Sequence, residues 1–430
     1  MSKYQTFVFR SYNFDPTTKV LSLQYGYDDS LTFTETFTFD FDFVEYDQQA
    51  LDRACQLLFF VAGVSYYKAY VAPEIRIDAG ELDEQTAGFL SKTYQKGLGE
   101  FFYLNQLDPQ TTIPFQVTAN TTLNMLSVSG AGQLVGLGGG KDSLVSVELL
   151  RVQASLATWS VGHKSQLSPL VDRIGLPHFW VDRTWDRQLL ELSEQDALNG
   201  HVPISAIFAC VGSVVAILSG KRDVVVSNEQ SANEPTLEYN GVAINHQYSK
   251  SQEFESDFQA LLQHYFGDSL RYYSLLRSYS ELHISKLFSQ IGFEKYKDVF
   301  SSCNRAFVHT SDHMSWCGEC PKCAFVFLVL TPFIERSELE NLWGKNLLLA
   351  PELESTYRQL LGIEGNKPLD CVGEVKESRS AMQLAFETYP ELKTKFTFEI
   401  PGDYNWQTPG PNELPAEIYD ILQTSLQNQQ

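Results

Sequence analysis

Residues 133–143 read QLVGLGGGKDS, and the reading of this stretch decides the fold. A short apolar run ends in three glycines, and the segment directly behind it, SLVSVELLRVQ, has a helical pattern. Glycines at a strand-to-helix turn permit positive φ and leave room for a phosphate to approach the backbone. A helix start adds unpaired N–H groups and a partial positive charge, which favour an anion. Gly138, Gly139 and Gly140 are therefore candidate phosphate contacts, with Lys141 adding a charge and Ser143 a hydroxyl. Asp142 is the odd member, because a carboxylate beside phosphates needs a bridging cation; Mg²⁺ between Asp142 and a nucleotide supplies one. Two commoner motifs fail. A Walker A loop needs a glycine where Val135 stands and Ser or Thr where Asp142 stands, and a dinucleotide fingerprint begun at Gly136 needs a glycine in place of Lys141.

Beyond the turn, LATWSV, HFWVD and RDVVVSN are short apolar runs separated by helical segments, the pattern of a parallel sheet with helices on its faces. VPISAIFACVGSVVAIL, from Val202 to Leu218, is short for a membrane span and contains Pro203 and Gly212, so it reads as a buried helix. Ligands of open α/β sheets sit beyond the carboxyl ends of the strands. That singles out Ser227, Asn228 and Glu229 after RDVVVSN, followed by Ser231, Asn233 and Glu234, either as substrate or metal contacts or as a solvated loop. His201 and His246 each read two ways, facing the same crevice or capping and packing.

Upstream, LTFTETFTFDFDF alternates with a period of two and puts Leu31, Phe33, Phe37, Phe39 and Phe41 on one face. With TFVFRSYNF and KVLSLQYGY it predicts an antiparallel meander. Helical patterns follow around Gln49–Phe60 and Glu84–Leu104, with strand-like YVAPEIRID between them. The expected organisation is an N-terminal α+β module over residues 1–125, a nucleotide-binding α/β domain over 126–250, and a mostly helical region over 251–430 that carries a cysteine cluster. The pattern from Glu253 to Gln290 reads as helical throughout.

Cys317, Cys320 and Cys323 form C-x-x-C-x-x-C, with Cys303 fourteen residues upstream. Four thiolates close a tetrahedral Zn²⁺ site with no open position, a structural arrangement. An iron–sulfur cluster uses the same ligand type, although Phe327 stands where a ferredoxin-type run has its next cysteine; a metal-free cluster is the third reading. His309 or His313 is an alternative to Cys303 as the outlying ligand. Cys55 and Cys210 lie in apolar helical patterns and read as core. Cys371, in the late LDCVGE with Glu374, is either a packed thiol or a reactive one.

The chain of 430 residues has 32 Lys and Arg against 53 Asp and Glu, a formal charge of −21. That balance argues against a nucleic-acid partner, whose phosphates draw on basic clusters. The start, MSKYQTFVFRSYNFDP, lacks a basic segment followed by an apolar core, and clustered cysteines suit a reducing compartment. A cytoplasmic protein with no membrane partner is expected.

GGGKDS resembles the PP-loop of ATP pyrophosphatases, S-G-G-x-D-S, with Gly138 in place of the leading serine. The resemblance implies a parallel-sheet, adenine nucleotide alpha hydrolase-like domain that cleaves ATP between the α- and β-phosphates and adenylates a carbonyl or carboxyl oxygen. The stretches GLGGGKDS, NGHVPISAI, SNEQSANEPT, INHQYSKSQEFE, WCGECPKCAFVF and KPLDCVGE, spread over residues 136–374, resemble the ATP-dependent UDP-N-acetylmuramoyl-L-alanyl-L-glutamate epimerases. This second resemblance implies a bacterial isomerase of peptidoglycan precursor synthesis. Its substrate would be UDP-MurNAc-L-Ala-L-Glu, whose terminal glutamate it inverts with ATP yielding AMP and diphosphate. ATP, Mg²⁺ and structural Zn²⁺ are the expected cofactors. Candidate catalytic residues are Lys141 and Asp142 at the turn and, by chemical type, Glu229, His201, His246, Cys371 and Glu374. Lys221, Arg222, Lys250 and Arg305 are candidates to neutralise the substrate's diphosphate or carboxylates. The alternatives are an amide or nitrile synthase resembling the 7-cyano-7-deazaguanine synthases, which join a PP-loop to four zinc-binding cysteines, and a non-catalytic ATP-binding module.

Overall fold

The computed structural model describes residues 3–119, 123–307 and 314–427. Its strands, in chain order, are β1 (Thr6–Asp15), β2 (Val20–Tyr27), β3 (Leu31–Asp40), β4 (Glu74–Ile77), β5 (Gln133–Gly136), β6 (Ala157–Val161), β7 (His178–Thr184), β8 (Asp223–Val226), β9 (Leu237–Tyr239), β10 (Val242–Ile244) and β11 (Arg271–Ser274). All but β9 and β10 form one mixed sheet, ordered β11-β8-β5-β6-β7-β3-β2-β1-β4. The strands from β11 to β7 run parallel to their neighbours. β3 joins β7 antiparallel, the meander of β1, β2 and β3 continues the sheet, and β4 lies parallel to β1 at the far edge.

Buried on both faces, the parallel strands divide their apolar residues between two cores, which is why they read as continuous apolar runs. Leu134, Val224 and Tyr272 face one core with the helices Gln48–Ala62 and Ile204–Ser219. Val135, Val225 and Tyr273 face the other, with the helices Lys141–Leu150, Glu281–Ile291 and Pro321–Leu330. The apolar run expected to be a buried helix is one, and it ends at Gly220 in the left-handed region. Among the described residues no helix is long and apolar enough to cross a membrane.

In β3, Leu31, Phe33, Phe37 and Phe39 are buried while Thr32 and Thr34 are exposed, as the alternation predicts; Phe41 lies past the strand end and is half-buried. Glu35 shares the buried face, where it is ion-paired with Arg183 of β7, whose guanidinium also donates to the Ser65 hydroxyl at 3.1 Å.

One stretch differs from expectation. The stretch Glu253–Gln290 is not helical throughout: after the helix Gln252–Phe266 the chain turns at Gly267 and enters β11. Four residues, RYYS, are too few to display a period, and pairing with β8 decides their state. The hairpin of β9 and β10 turns at Asn240 and Gly241, both with positive φ, the N-G signal of a tight hairpin.

From β5 the chain steps outward through β6 and β7, then returns to place β8 and β11 on the other side of β5. The direction of winding reverses between β5 and β8, so a crevice opens beyond their carboxyl ends, where such sheets bind ligands. After β11 the regular elements among the described residues are helical. The last, Ala416–Gln427, packs on the helix behind the glycines, with Ser425 donating to the Leu149 carbonyl at 2.9 Å.

Removing Arg183 would strand a buried carboxylate at the seam between β3 and β7. Arg183→Met is expected to lower stability by about 3–5 kcal/mol in urea unfolding. The double variant Glu35→Leu with Arg183→Met should recover most of that loss; a single variant as stable as the wild type would contradict it.

Candidate active site

The glycine turn closes β5 and opens the helix Lys141–Leu150. Gly139 has φ +86°, and a Cβ there would lie 2.5 Å from Met314 Sδ and 3.0 Å from the Ser301 carbonyl oxygen. Its own carbonyl accepts from the Ser301 N–H at 3.0 Å. Gly140 is the residue before the helix, with Ser302 packed against it, whereas a Cβ at Gly138 would meet nothing within 4 Å. Ser143 turns its hydroxyl back onto the Gly140 carbonyl at 3.0 Å.

Lys141 is buried, and its ammonium bridges Asp142 and Glu281. Glu281 comes from the first turn of the helix Glu281–Ile291, capped by Ser280, and its backbone N–H donates to Glu377 at 2.9 Å. Glu229, just past β8, completes a trio: Asp142, Glu229 and Glu281 each offer a carboxylate oxygen, all within 4.8 Å of one another. Burial and the charge of Glu281 raise the Asp142 carboxyl, and the same two causes push Glu229 up to about 7. Burial works against Glu281 too, but Lys141 and Lys322 hold it below the usual carboxylate range. Arg277, fully buried, fixes the surrounding loops by donating to Glu255 at 2.8 Å, to the Glu229 carbonyl at 2.7 Å and to the Lys250 carbonyl at 2.5 Å.

From this trio a polar lane continues. Lys322, on the first turn of the helix Pro321–Leu330, has its ammonium 3.7 Å from Glu281 and donates to the Cys371 carbonyl. The Cys371 sulfur accepts from Lys250 Nζ at 3.3 Å and lies 3.9 Å from His246 Nε2. His246 Nδ1 bonds buried Glu100, and His201 Nδ1 is 3.8 Å from the same carboxylate, with the two imidazole centres 4.6 Å apart. Burial alone would raise the Cys371 thiol, yet Lys250, His246 and Lys322 bring it down to about 6. Against the effect of burial, Cys371 and Glu100 lift His246 to about 9. Burial and the neighbouring His246 push His201 down to about 4.

The sulfurs of Cys303, Cys317, Cys320 and Cys323 all lie within 4.8 Å of one another, with 3.8 Å from Cys303 to Cys320 and 3.7 Å from Cys317 to Cys323. Backbone N–H groups of Arg305 and Cys317 point at the Cys303 sulfur, those of Glu319 and Cys320 at Cys317, and that of Cys323 at Cys320. His309 and His313 lie outside the described residues.

Of the residues singled out from sequence, Lys141, Asp142 and Glu229 meet at one end of the lane, and Cys371, Lys250, His246 and His201 at the other. Lys221 and Arg222 are elsewhere: they precede β8, at the amino end of the sheet, where they bond Ser155 at 2.8 Å and Asp223 at 3.1 Å. Arg305 pairs with Glu319 at the surface, and Glu374 caps the helix Val375–Ala385. Glu281, Lys322 and Glu100 were not singled out. Ser280-Glu281 before an apolar helix and Lys322 between two ligand-type cysteines are local signals; Glu100 has none.

The MurL N-terminal domain family matches residues 1–275, and the MurL C-terminal domain family matches residues 299–397. The chain is 39% identical over 386 residues to the UDP-N-acetyl-alpha-D-muramoyl-L-alanyl-L-glutamate epimerase of Xanthomonas oryzae, covering 88% of this chain and 85% of that one. The proteins of the same name from Micromonospora and Salinispora tropica are 39% and 37% identical, each over 90% of this chain and over 88% and 86% of their own lengths. The glycine turn, the lane that runs from it to Cys371 and the four-cysteine cluster thus stand in a chain that belongs to the MurL family.

Proposed function

We propose that the protein inverts the terminal L-glutamate of UDP-MurNAc-L-Ala-L-Glu in peptidoglycan precursor synthesis. ATP activates the α-carboxylate as an acyl-adenylate, and AMP and diphosphate are released. The observation that carries this reading is one lane with a phosphate-ready turn at one end and a lysine-held thiol at the other, in a chain similar over most of its length to proteins named for that epimerisation. A proton beside a free carboxylate is hard to remove, because the product would carry adjacent negative charges. Adenylation neutralises the carboxylate and makes it electron-withdrawing; the Cα proton can then be taken, returned from the other face, and the free acid released by water.

On this reading the N–H groups of the turn Gly138–Lys141 and the helix start receive the ATP phosphates, as in the PP-loop. Asp142, Glu229 and Glu281 would hold Mg²⁺: hard oxygen donors suit that ion, and burial together with the charge of Glu281 raises two of the three carboxyls, which a cation would relieve. Bound there, Mg²⁺ would neutralise phosphate charge. Lys250 and Lys322 lie between this trio and Cys371, where they would neutralise the substrate's carboxylates.

The four cysteines would hold structural Zn²⁺. Their closer sulfur pairs, 3.7 and 3.8 Å apart, agree with the edge of about 3.8 Å of a tetrahedron built on Zn–S bonds of about 2.3 Å. An iron–sulfur cluster spreads its ligands over several irons and needs them farther apart. The zinc loop would brace the turn, since Ser301 and Met314 lie against Gly139.

Incubated with ATP, Mg²⁺ and UDP-MurNAc-L-Ala-L-Glu, without ammonia, the protein should yield AMP, diphosphate and a D-glutamyl product, with Asp142→Asn slower in diphosphate release by about a hundredfold or more; a product holding only L-glutamate would refute the reading. Gly139→Ala should abolish ATP binding in calorimetry, because of its positive φ and the Ser301 backbone. Gly138→Ser should bind at least as tightly as the wild type, there being space for its side chain. Cys320→Ser should lose the stoichiometric zinc seen by elemental analysis and melt at lower temperature; full zinc content would remove Cys320 from the ligand set.

A further inference from the structure

The reaction proposed above needs a group to take the Cα proton, and the lane holds a sulfur with more support than packing explains. Cys371 follows Asp370 in an irregular segment, yet three cationic groups from three other places converge on it. Lys250 reaches the sulfur at 3.3 Å from the turn before the helix Gln252–Phe266. His246 faces it at 3.9 Å from the segment after β10. Lys322 grips its carbonyl from the helix Pro321–Leu330. Behind His246, Glu100 accepts from the far ring nitrogen, and His201 stacks beside it. A buried carboxylate orienting an imidazole that in turn faces a thiol is the arrangement that keeps a thiolate available for chemistry. A core cysteine needs none of it: Cys55 and Cys210 sit buried among apolar side chains.

We propose that Cys371 is the catalytic base that removes the Cα proton of the activated glutamate, with Lys250, His246 and Glu100 as positioning residues. The assignment rests on the functional reading above. The Cα–H bond breaks, its proton joins the Cys371 sulfur, its electron pair forms a double bond between Cα and the adenylated carbon, and the carbonyl π pair moves onto its oxygen to give an enolate. As that oxygen re-forms the carbonyl, water protonates Cα from the opposite face, and the thiol proton neutralises the hydroxide left behind. The thiolate is restored and no net proton is gained. His246, doubly protonated, donates from Nε2 to the sulfur and from Nδ1 to Glu100. The lowered thiol and raised imidazole agree with such an ion pair. The charged or titratable groups facing the sulfur are Lys250, His246 and Lys322, with Glu100 and His201 behind them and Glu229 beyond Lys250.

The test separates activation from inversion. In D₂O with ATP, Mg²⁺ and the UDP-muramoyl dipeptide, the wild type should release diphosphate and put deuterium at Cα of the D-product. Cys371→Ser, with its folding checked by circular dichroism, should still release diphosphate within a few-fold of wild type. Its inversion and deuterium incorporation should fall about a hundredfold or more, the contribution of a positioned base. In Glu100→Gln the acid limb of the inversion rate should move to higher pH, because an imidazole without its carboxylate loses its proton sooner and stabilises the thiolate less. Inversion by Cys371→Ser within tenfold of wild type would overturn the assignment. So would loss of diphosphate release in the folded variant, or an acyl group found on Cys371 by mass spectrometry after acid quench of the wild type, which would make it a nucleophile. An unmoved acid limb in Glu100→Gln would remove the positioning role. A wild type that releases no diphosphate with this dipeptide would instead sink the functional reading, and this assignment with it.

Discussion

A half-buried carboxylate, Asp142, and a fully buried one, Glu281, share one buried ammonium, Lys141. Taking three ionised groups out of water costs several kcal/mol each unless they answer one another, so neither helix bearing them can shift without exposing the imbalance. Lys141 and Asp142 begin the helix behind β5, and Glu281 begins the helix after β11. Their pairing therefore pins together two segments that are 140 residues apart in the chain. Lys322 adds a second cation to Glu281 from a third helix. Burial and the charge of Glu281 still hold Asp142 and Glu229 above the usual carboxylate range. A packed apolar core would hold the same helices at lower cost. Charges kept in such a place are a mark of use, because a shifted carboxylate at a crevice is where cations and phosphates are handled.

The four-cysteine cluster belongs to the same construction. Its first loop supplies the Ser301 N–H that holds the Gly139 carbonyl, and Met314 fills the space a side chain at Gly139 would take. Its third cysteine, Cys320, caps the helix that presents Lys322. Four sulfurs closed on one ion would leave no position for a reacting group, so the contribution proposed for the cluster is mechanical. It fixes one wall of the turn and one cation of the lane through a few short segments. The backbone N–H groups aimed at the sulfurs restrain the loops that carry them.

What was legible in sequence follows the range of the signals. The strand before the glycines, the alternating β3, the all-apolar helix and the C-x-x-C-x-x-C run are local, and each stands where its pattern predicts. The four residues of β11 carry no period, and their strand state comes from β8 alongside. Glu35 looks like an error in an apolar face until Arg183 is seen opposite it. Lys221 and Arg222 are near the polar loop after β8 in sequence, but a strand separates them, and a strand's two ends open on opposite sides of the sheet. Glu100 reaches His246 across 146 positions of chain, and no spacing rule covers such a distance. Cys371 could be singled out by type alone; only the convergence of Lys250, His246 and Lys322 distinguishes it from Cys55 and Cys210.

The net charge of −21 sits oddly with the site proposed here for ATP and a nucleotide-linked dipeptide, both anions. Distance resolves the conflict. Surface carboxylates more than roughly 8 Å away are screened by physiological salt, whereas Lys141, Lys322 and Arg277 are buried and act at close range in a medium of low dielectric. The same local electrostatics impose an order on the chemistry. A thiolate at Cys371 and the α-carboxylate of an incoming glutamate repel each other, and a base of that charge gains nothing by approaching an unactivated substrate. Adenylation removes the carboxylate charge at the atom next to Cα and leaves an electron-withdrawing group there. On the proposed route the repulsion would be lost in the same step that acidifies the proton, so a thiolate held by Lys250 and His246 would meet Cα productively only after ATP had been split.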